Sequence, residues 1–96
     1  MLLEVITPDQ VLFRGNVSHV VLPGLDGSFG VLSNHAPMIS ALSKGEMKVE
    51  QIIEENKSED FDGKYKEEHK NDAVFNFEIN GGFVEVKDNK IIIFGE

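Results

Sequence analysis

Apolar and polar residues alternate with a period of two along much of this chain. In Glu46-Met47-Lys48-Val49-Glu50, Met47 and Val49 alternate with charges, and Phe75, Phe77 and Ile79 alternate with Val74, Asn76 and Glu78. Successive strand side chains point to opposite faces, so both patterns predict strands with one buried and one wetter face. Val17-Ser18-His19-Val20-Val21-Leu22 and Lys90-Ile91-Ile92-Ile93-Phe94 are denser and β-branched, and predict strands covered on both faces or nearly so. Thr7-Pro8-Asp9, Arg14-Gly15-Asn16, Pro23-Gly24, Asp26-Gly27, Lys44-Gly45 and Asn80-Gly81-Gly82 supply turn chemistry between them. Asp88-Asn89, between Val84–Lys87 and Lys90–Ile93, predicts a two-residue hairpin, because both residue types tolerate the positive φ of a type I′ turn. Short strands at this spacing predict an all-β fold, a flattened antiparallel β-sandwich or barrel.

The segment Gln51 to Asp72 breaks the pattern. Val49, Ile52 and Ile53 have helical spacing and allow a helical turn. Beyond them runs a tract of mixed charge, Glu54-Glu55-Asn56-Lys57-Ser58-Glu59-Asp60 and then Lys64-Tyr65-Lys66-Glu67-Glu68-His69-Lys70. Such a tract predicts a solvated extension or long exposed hairpin, with Phe61 and Tyr65 as its only anchors to a core. A dedicated binding arm is the rival reading.

Ninety-six residues, 41% of them hydrophobic with seven Phe, suffice for a single packed domain spanning 1–96. The formal net charge of −8 repels nucleic acid and anionic lipid, so association with a membrane is expected only through another protein. The chain has no cysteine, and hence neither a disulfide framework nor a thiolate metal site. No apolar run approaches the roughly 20 residues that cross a bilayer. Met1–Thr7 lacks a positive flank and meets a charge at Glu4, so it reads as a first strand.

Catalytic chemistry finds no constellation. His19, His35 and His69 lie in three separate settings and form no ligand pair; no cofactor or metal is expected. His19 reads as a surface or edge residue and His69 as solvated. His35 sits in the compact turn Ser33-Asn34-His35-Ala36-Pro37, where a structural or interface role outweighs catalysis. Ser28 and Ser33 are near His35 in sequence, but a triad also needs an orienting group and an oxyanion hole. Gly24, Gly27 and Gly30 are followed by no Lys and surrounded by no βα unit, so they do not cradle phosphate. They let a connection turn tightly, and that connection carries Leu25 and Phe29 outside any predicted strand, to fold back on the core or meet a partner.

The run Val20-Val21-Leu22-Pro23-Gly24-Leu25-Asp26-Gly27-Ser28-Phe29-Gly30-Val31-Leu32-Ser33-Asn34-His35-Ala36-Pro37-Met38 resembles the N-terminal domain of the F-type ATP synthase ε subunit family. Leu3–Asp9 with Phe13 and Gly15 resembles the family's first strand and turn, and Gly81–Val86 with Asp88-Asn89-Lys90 its closing hairpin. The resemblance covers about 1–50 and 73–96. It implies a flattened sandwich of about ten strands and a non-catalytic central-stalk role, coupling the γ subunit to the membrane c-ring. By resemblance, Gly24, Leu25, Asp26, Gly27, Ser28, Phe29 and Gly30 rest on the c-ring, while Thr7, Pro8, His35, Ala36 and Pro37 face γ. The implied location is the cytoplasmic face of a bacterial plasma membrane, held there by partner subunits. Ser28 stands where the family commonly has an acidic residue, and Asn34 where it has Gly; Asn also accepts left-handed backbone geometry. Family members often continue into a C-terminal helical hairpin that restrains hydrolysis, and the sequence ending at Glu96 carries the expectation that this function is missing.

Two other readings compete. A small β-sandwich module for peptide or carbohydrate would want an aromatic platform, and the chain has no Trp and one Tyr, Tyr65. A small hydrolase would use His35 with Ser28 or Ser33.

Overall fold

The computed structural model describes residues 1–57 and 59–96. Six strands carry the fold: β1 (Leu2–Ile6), β2 (Val11–Gly24), β3 (Gly27–Leu32), β4 (Met38–Gln51), β5 (Val74–Lys87) and β6 (Lys90–Gly95). Their hydrogen-bonded order is β1-β6-β5-β4-β2-β3, and β1 also pairs with β2. Five strands therefore close on themselves, and β3 is added outside the closure.

The count is six rather than about ten because three strands turn corners without breaking. β2, β4 and β5 are each 14 residues long. β2 pairs with β1 over its first part and with β3 and β4 beyond it. β4 and β5 bend together, their register running to Leu42↔Gly82 and resuming at Lys44↔Asn80. Gly15, Gly45 and Gly81, which the sequence suggested as turns, lie inside these strands. At the β5 corner Gly82 has φ +134°, and a Cβ there would run into the Phe94 carbonyl oxygen.

The sheet is also not wholly antiparallel, since β1 and β6 run parallel from Leu2↔Lys90 to Ile6↔Phe94. An odd ring of strands cannot alternate direction all the way round. One neighbouring pair must be parallel.

Inward positions follow the period of two. Leu3, Val5, Phe13, Val20, Met47, Val49, Phe75, Phe77, Ile91 and Ile93 are all buried, each worth roughly 1.5–3 kcal/mol. Phe13 binds the aromatic part of this core, with ring centroids 5.9 Å from Phe61 and 5.3 Å from Phe75. The β5–β6 hairpin turns at Asp88 (φ 53°) and Asn89 (φ 59°), the two positive values a type I′ turn needs.

The segment after β4 is a cover rather than a solvated extension. It contains a 3₁₀ turn (Glu55–Lys57) and one short helix, α1 (Lys66–His69). Its acidic side chains face solvent, and Phe61 is buried while Tyr65 packs on the core. Residues 61–65 lie along the outer edge of β2: Arg14 and Asp62 exchange two backbone hydrogen bonds of 2.8 Å, and the Lys64 and Tyr65 amides donate to Val11 and Leu12. Two polar residues complete the cover, both buried. Asn56 Oδ1 accepts from the Asn16 amide, while Asn56 Nδ2 donates to Asn16 O (3.0 Å) and Gln51 Oε1 (2.9 Å). Gln51 Nε2 donates to the carbonyls of His69 and Asp72.

Candidate partner interfaces

The stretch from Gly24 to Gly30 is a hairpin, and only its tip is loop. Gly24 pairs with Gly27, leaving Leu25 and Asp26 as the turn; neither has positive φ, and Gly27 does (+119°). A glycine of positive φ directly after the turn lets the hairpin follow strand twist. Leu25 stands out from the tip, 67% exposed. Phe29 is not in a free connection: it lies in β3 opposite Leu22 and packs partly buried against the core. Ser43 fastens the hairpin base, its hydroxyl donating to Pro23 O at 3.2 Å. Ser43 carried no sequence signal, being one of several serines.

The turn 33–37 joins β3 to β4. Asn34 has φ 64°, and its amide donates to Asn89 Oδ1 at 2.8 Å, tying this turn to the β5–β6 hairpin. His35 is exposed, and its Nδ1 donates to the Ala36 carbonyl at 2.7 Å. Thr7 lies at the far end of β1, where its amide donates to Gln10 O at 2.9 Å. Asn89 O accepts from the Leu2 amide, so Thr7 and the 33–37 turn are separated by the length of β1, about 17 Å at 3.3 Å per residue. They do not touch.

A sheet face connects them. Register sets Ala41, Phe83, Phe94 and Ile6 in one row across β4, β5, β6 and β1, and Ile39, Glu85, Ile92 and Glu4 in the next. These are the outward positions. Ile39 is 75% and Phe83 47% exposed, and Phe83 stacks on Phe94 at 4.8 Å. Pro37 borders this face at one corner and Thr7 at the other. The sequence predicts Lys90–Phe94 to be covered on both faces or nearly so, whereas Ile92 and Phe94 lie half-buried on this open face.

The remaining histidines have structural partners. His19 is not on an edge: β2 pairs with β3 and β4 there, and His19 Nδ1 lies 2.8 Å from Glu50 Oε2. His69 is not solvated but stacks on Phe75, centroids 4.3 Å apart and planes within 8°, with Nδ1 3.0 Å from Asp72 Oδ2. Among the described residues neither Ser28 nor Ser33 hydrogen-bonds His35, and no group of three or more His, Asp or Glu is arranged to hold a metal ion.

A family profile described as ATP synthase, Delta/Epsilon chain, beta-sandwich domain matches residues 1–60. The ATP synthase epsilon chain of Chlorobium limicola is 36% identical over 94 residues, covering 98% of this chain and 86% of the relative. That of Pelotomaculum thermopropionicum is 37% identical over 91 residues, covering 95% of this chain but 54% of the relative, so the chain spans about half the length of some curated relatives. Among solved structures, a chain of the Euglena gracilis mitochondrial ATP synthase aligns with TM-score 0.70 and 21% identity, over 97% of this chain and 48% of that one. A chain in the Tetrahymena thermophila mitochondrial ATP synthase structure described as central stalk/c-ring aligns with TM-score 0.68 and 17% identity, over 99% of this chain and 62% of that one. These two show the fold, and the profile and relatives show the family: the chain belongs to the ATP synthase delta/epsilon chain β-sandwich family.

Proposed function

We propose that this domain is a non-catalytic central-stalk element of an F-type ATP synthase rotor, coupling γ to the membrane c-ring. The observation that carries this is the exposed apolar sheet face of Ile39, Ala41, Phe83 and Phe94, bordered by Pro37 and Thr7. A standard interface buries roughly 800 Å² per partner, a disc about 32 Å across. One γ surface can therefore cover the face together with Thr7, Pro8, His35, Ala36 and Pro37. The hairpin Gly24–Gly30 offers the c-ring a separate, small contact centred on Leu25. With Ser28 at the hairpin, that contact relies on Leu25 and Asp26. Membrane association follows through these partners, at the cytoplasmic face in a bacterium. Family membership supports this role over a peptide- or carbohydrate-binding module.

The test uses purified domain with γ alone and with γ plus c-ring. Phe83→Asp should weaken γ binding about 30-fold, the effect of losing roughly 2 kcal/mol at an interface centre. Leu25→Asp should leave γ binding intact and weaken ring docking. Wild-type γ affinity in Phe83→Asp would refute the assignment of this face.

A further inference from the structure

The cover segment contains a feature the stalk role does not use. Between the 3₁₀ turn and α1 lies a cleft of about 450 Å³, lined by Ile53, Asn56, Lys57, Phe61, Lys66, Glu67, Lys70 and Asn71. Its size falls in the range of small-molecule sites. Three lysines and one glutamate give the lining a formal charge of +2 (3 − 1), in a chain of −8. The neighbouring acids Glu54, Glu55, Glu59, Asp60 and Glu68 are exposed and outside the lining. Lys66 and Lys70 stand one helical turn apart, about 5–6 Å between Cβ atoms, and Lys57 lines the cleft from the 3₁₀ turn. Among the described residues Lys57 and Lys66 make no ion pair. Lys70 has only Glu67, at 3.9 Å with both side chains more than half exposed, a pair worth little. Phe61 and Ile53 form the apolar side, with Lys66 Nζ 5.8 Å from the Phe61 ring centroid.

We propose that this cleft binds a small phosphate-bearing anion, its charge met by Lys57, Lys66 and Lys70. A compact ligand with several negative charges suits three lysines lining one cleft, where each contact is charge-assisted.

Inorganic pyrophosphate, titrated into the whole domain at low ionic strength and followed by amide NMR shifts, tests this. Saturable shifts confined to residues 53–71 are expected. The triple variant Lys57→Gln/Lys66→Gln/Lys70→Gln should weaken affinity at least 30-fold, about 2 kcal/mol at 1.4 kcal/mol per tenfold. A control with matched charge loss, Lys44→Gln/Lys48→Gln/Lys87→Gln, should change it less than threefold. A nucleoside diphosphate forms a second arm. Tighter binding than pyrophosphate with added shifts at Ile53 and Phe61 supports a ligand with an organic moiety, and equal binding supports a site for the phosphate alone. Non-saturating shifts spread over all lysines, or equal weakening by the two triple variants, would overturn the proposal.

Discussion

Gly82→Ala tests whether the β5 corner is as tightly built as its geometry states. Gly82 has φ +134°, a region in which an L side chain is strained by about 1–3 kcal/mol. Its new Cβ would also run into Phe94 O and lie 3.0 Å from Phe94 C and 3.1 Å from Gly95 Cα. All three are backbone, so no side chain can swing away. Relief requires β5 and β6 to part at the pairs Gly82↔Gly95 and Phe83↔Phe94, weakening one or two hydrogen bonds at about 1 kcal/mol each and leaving a carbonyl poorly partnered for another 1–2. The total is about 3–7 kcal/mol. At roughly 0.05–0.15 kcal/mol per residue, a domain of 96 residues holds about 5–14 kcal/mol, so the variant loses much of its stability. A central loss of about 5 kcal/mol should lower the melting temperature by about 20–40 °C at 4–8 °C per kcal/mol, or the domain should fail to fold.

Gly27→Ala separates the two causes. Gly27 has φ +119° but nothing within 4 Å of its added Cβ, so strain acts alone. It is partly offset by about 0.4–1 kcal/mol of lost unfolded-state freedom. Its net cost should be about 1 kcal/mol. Thermal and urea unfolding of the two variants side by side are the assay. Equal losses, or a Gly82→Ala protein within about 1 kcal/mol of wild type, would refute the claim that the β5–β6 approach at Phe94 sets the corner.

Asn56→Ala should cost about 3 kcal/mol, because the Asn16 backbone and Gln51 Oε1 lose their buried partner; a lowered urea midpoint at unchanged slope checks it. His69→Ala should lower stability by about 1–2 kcal/mol through the lost stack on Phe75, whereas a solvated histidine would give less than about 0.5. Leu25→Asp should change stability by no more than about 0.5 kcal/mol, since its side chain is 67% exposed, so any ring-docking defect in it reports contact and not unfolding.

The strand faces were legible because a period of two encodes them locally: Met47, Val49, Phe75, Phe77 and Ile79 are buried where alternation puts them. The Asp88-Asn89 turn and the left-handed Asn34 were legible for the same reason, since φ preference belongs to the residue itself. Continuity was not. A glycine in a turn and a glycine at a strand corner carry the same local signal, and only the partner strand at Gly82 or Gly45 distinguishes them. The cover failed for a related reason. Asn56 and Gln51 are polar residues whose burial depends on backbone groups up to 40 positions away, and composition alone reads them as solvated. The Gly24–Gly30 hairpin carries its turn residues in the sequence but not its form, because Phe29 packs inward only once β3 is placed beside β2.

The architecture bears on how such a domain would serve between two partners. β4 leaves the 33–37 turn at Met38 and passes Ala41 beside the hairpin tip, where Ser40 and Ala41 share a cleft with Gly24–Phe29. The same strand thus abuts both proposed contacts, and its pairing with β5 continues through the bend. A displacement of the tip relative to the turn must shear the β2–β4 ladder and break the Ser43 contact to Pro23. The closed ring of five strands adds to this, because the seam between first and last strands is itself hydrogen-bonded through β1 and β6. Between Leu25 and Pro37 the chain is paired with β2 along β3 and leaves the ladder only in the 33–37 turn, which the Asn34 amide ties to Asn89. Paired backbone of this kind favours a part that transmits position over one that switches.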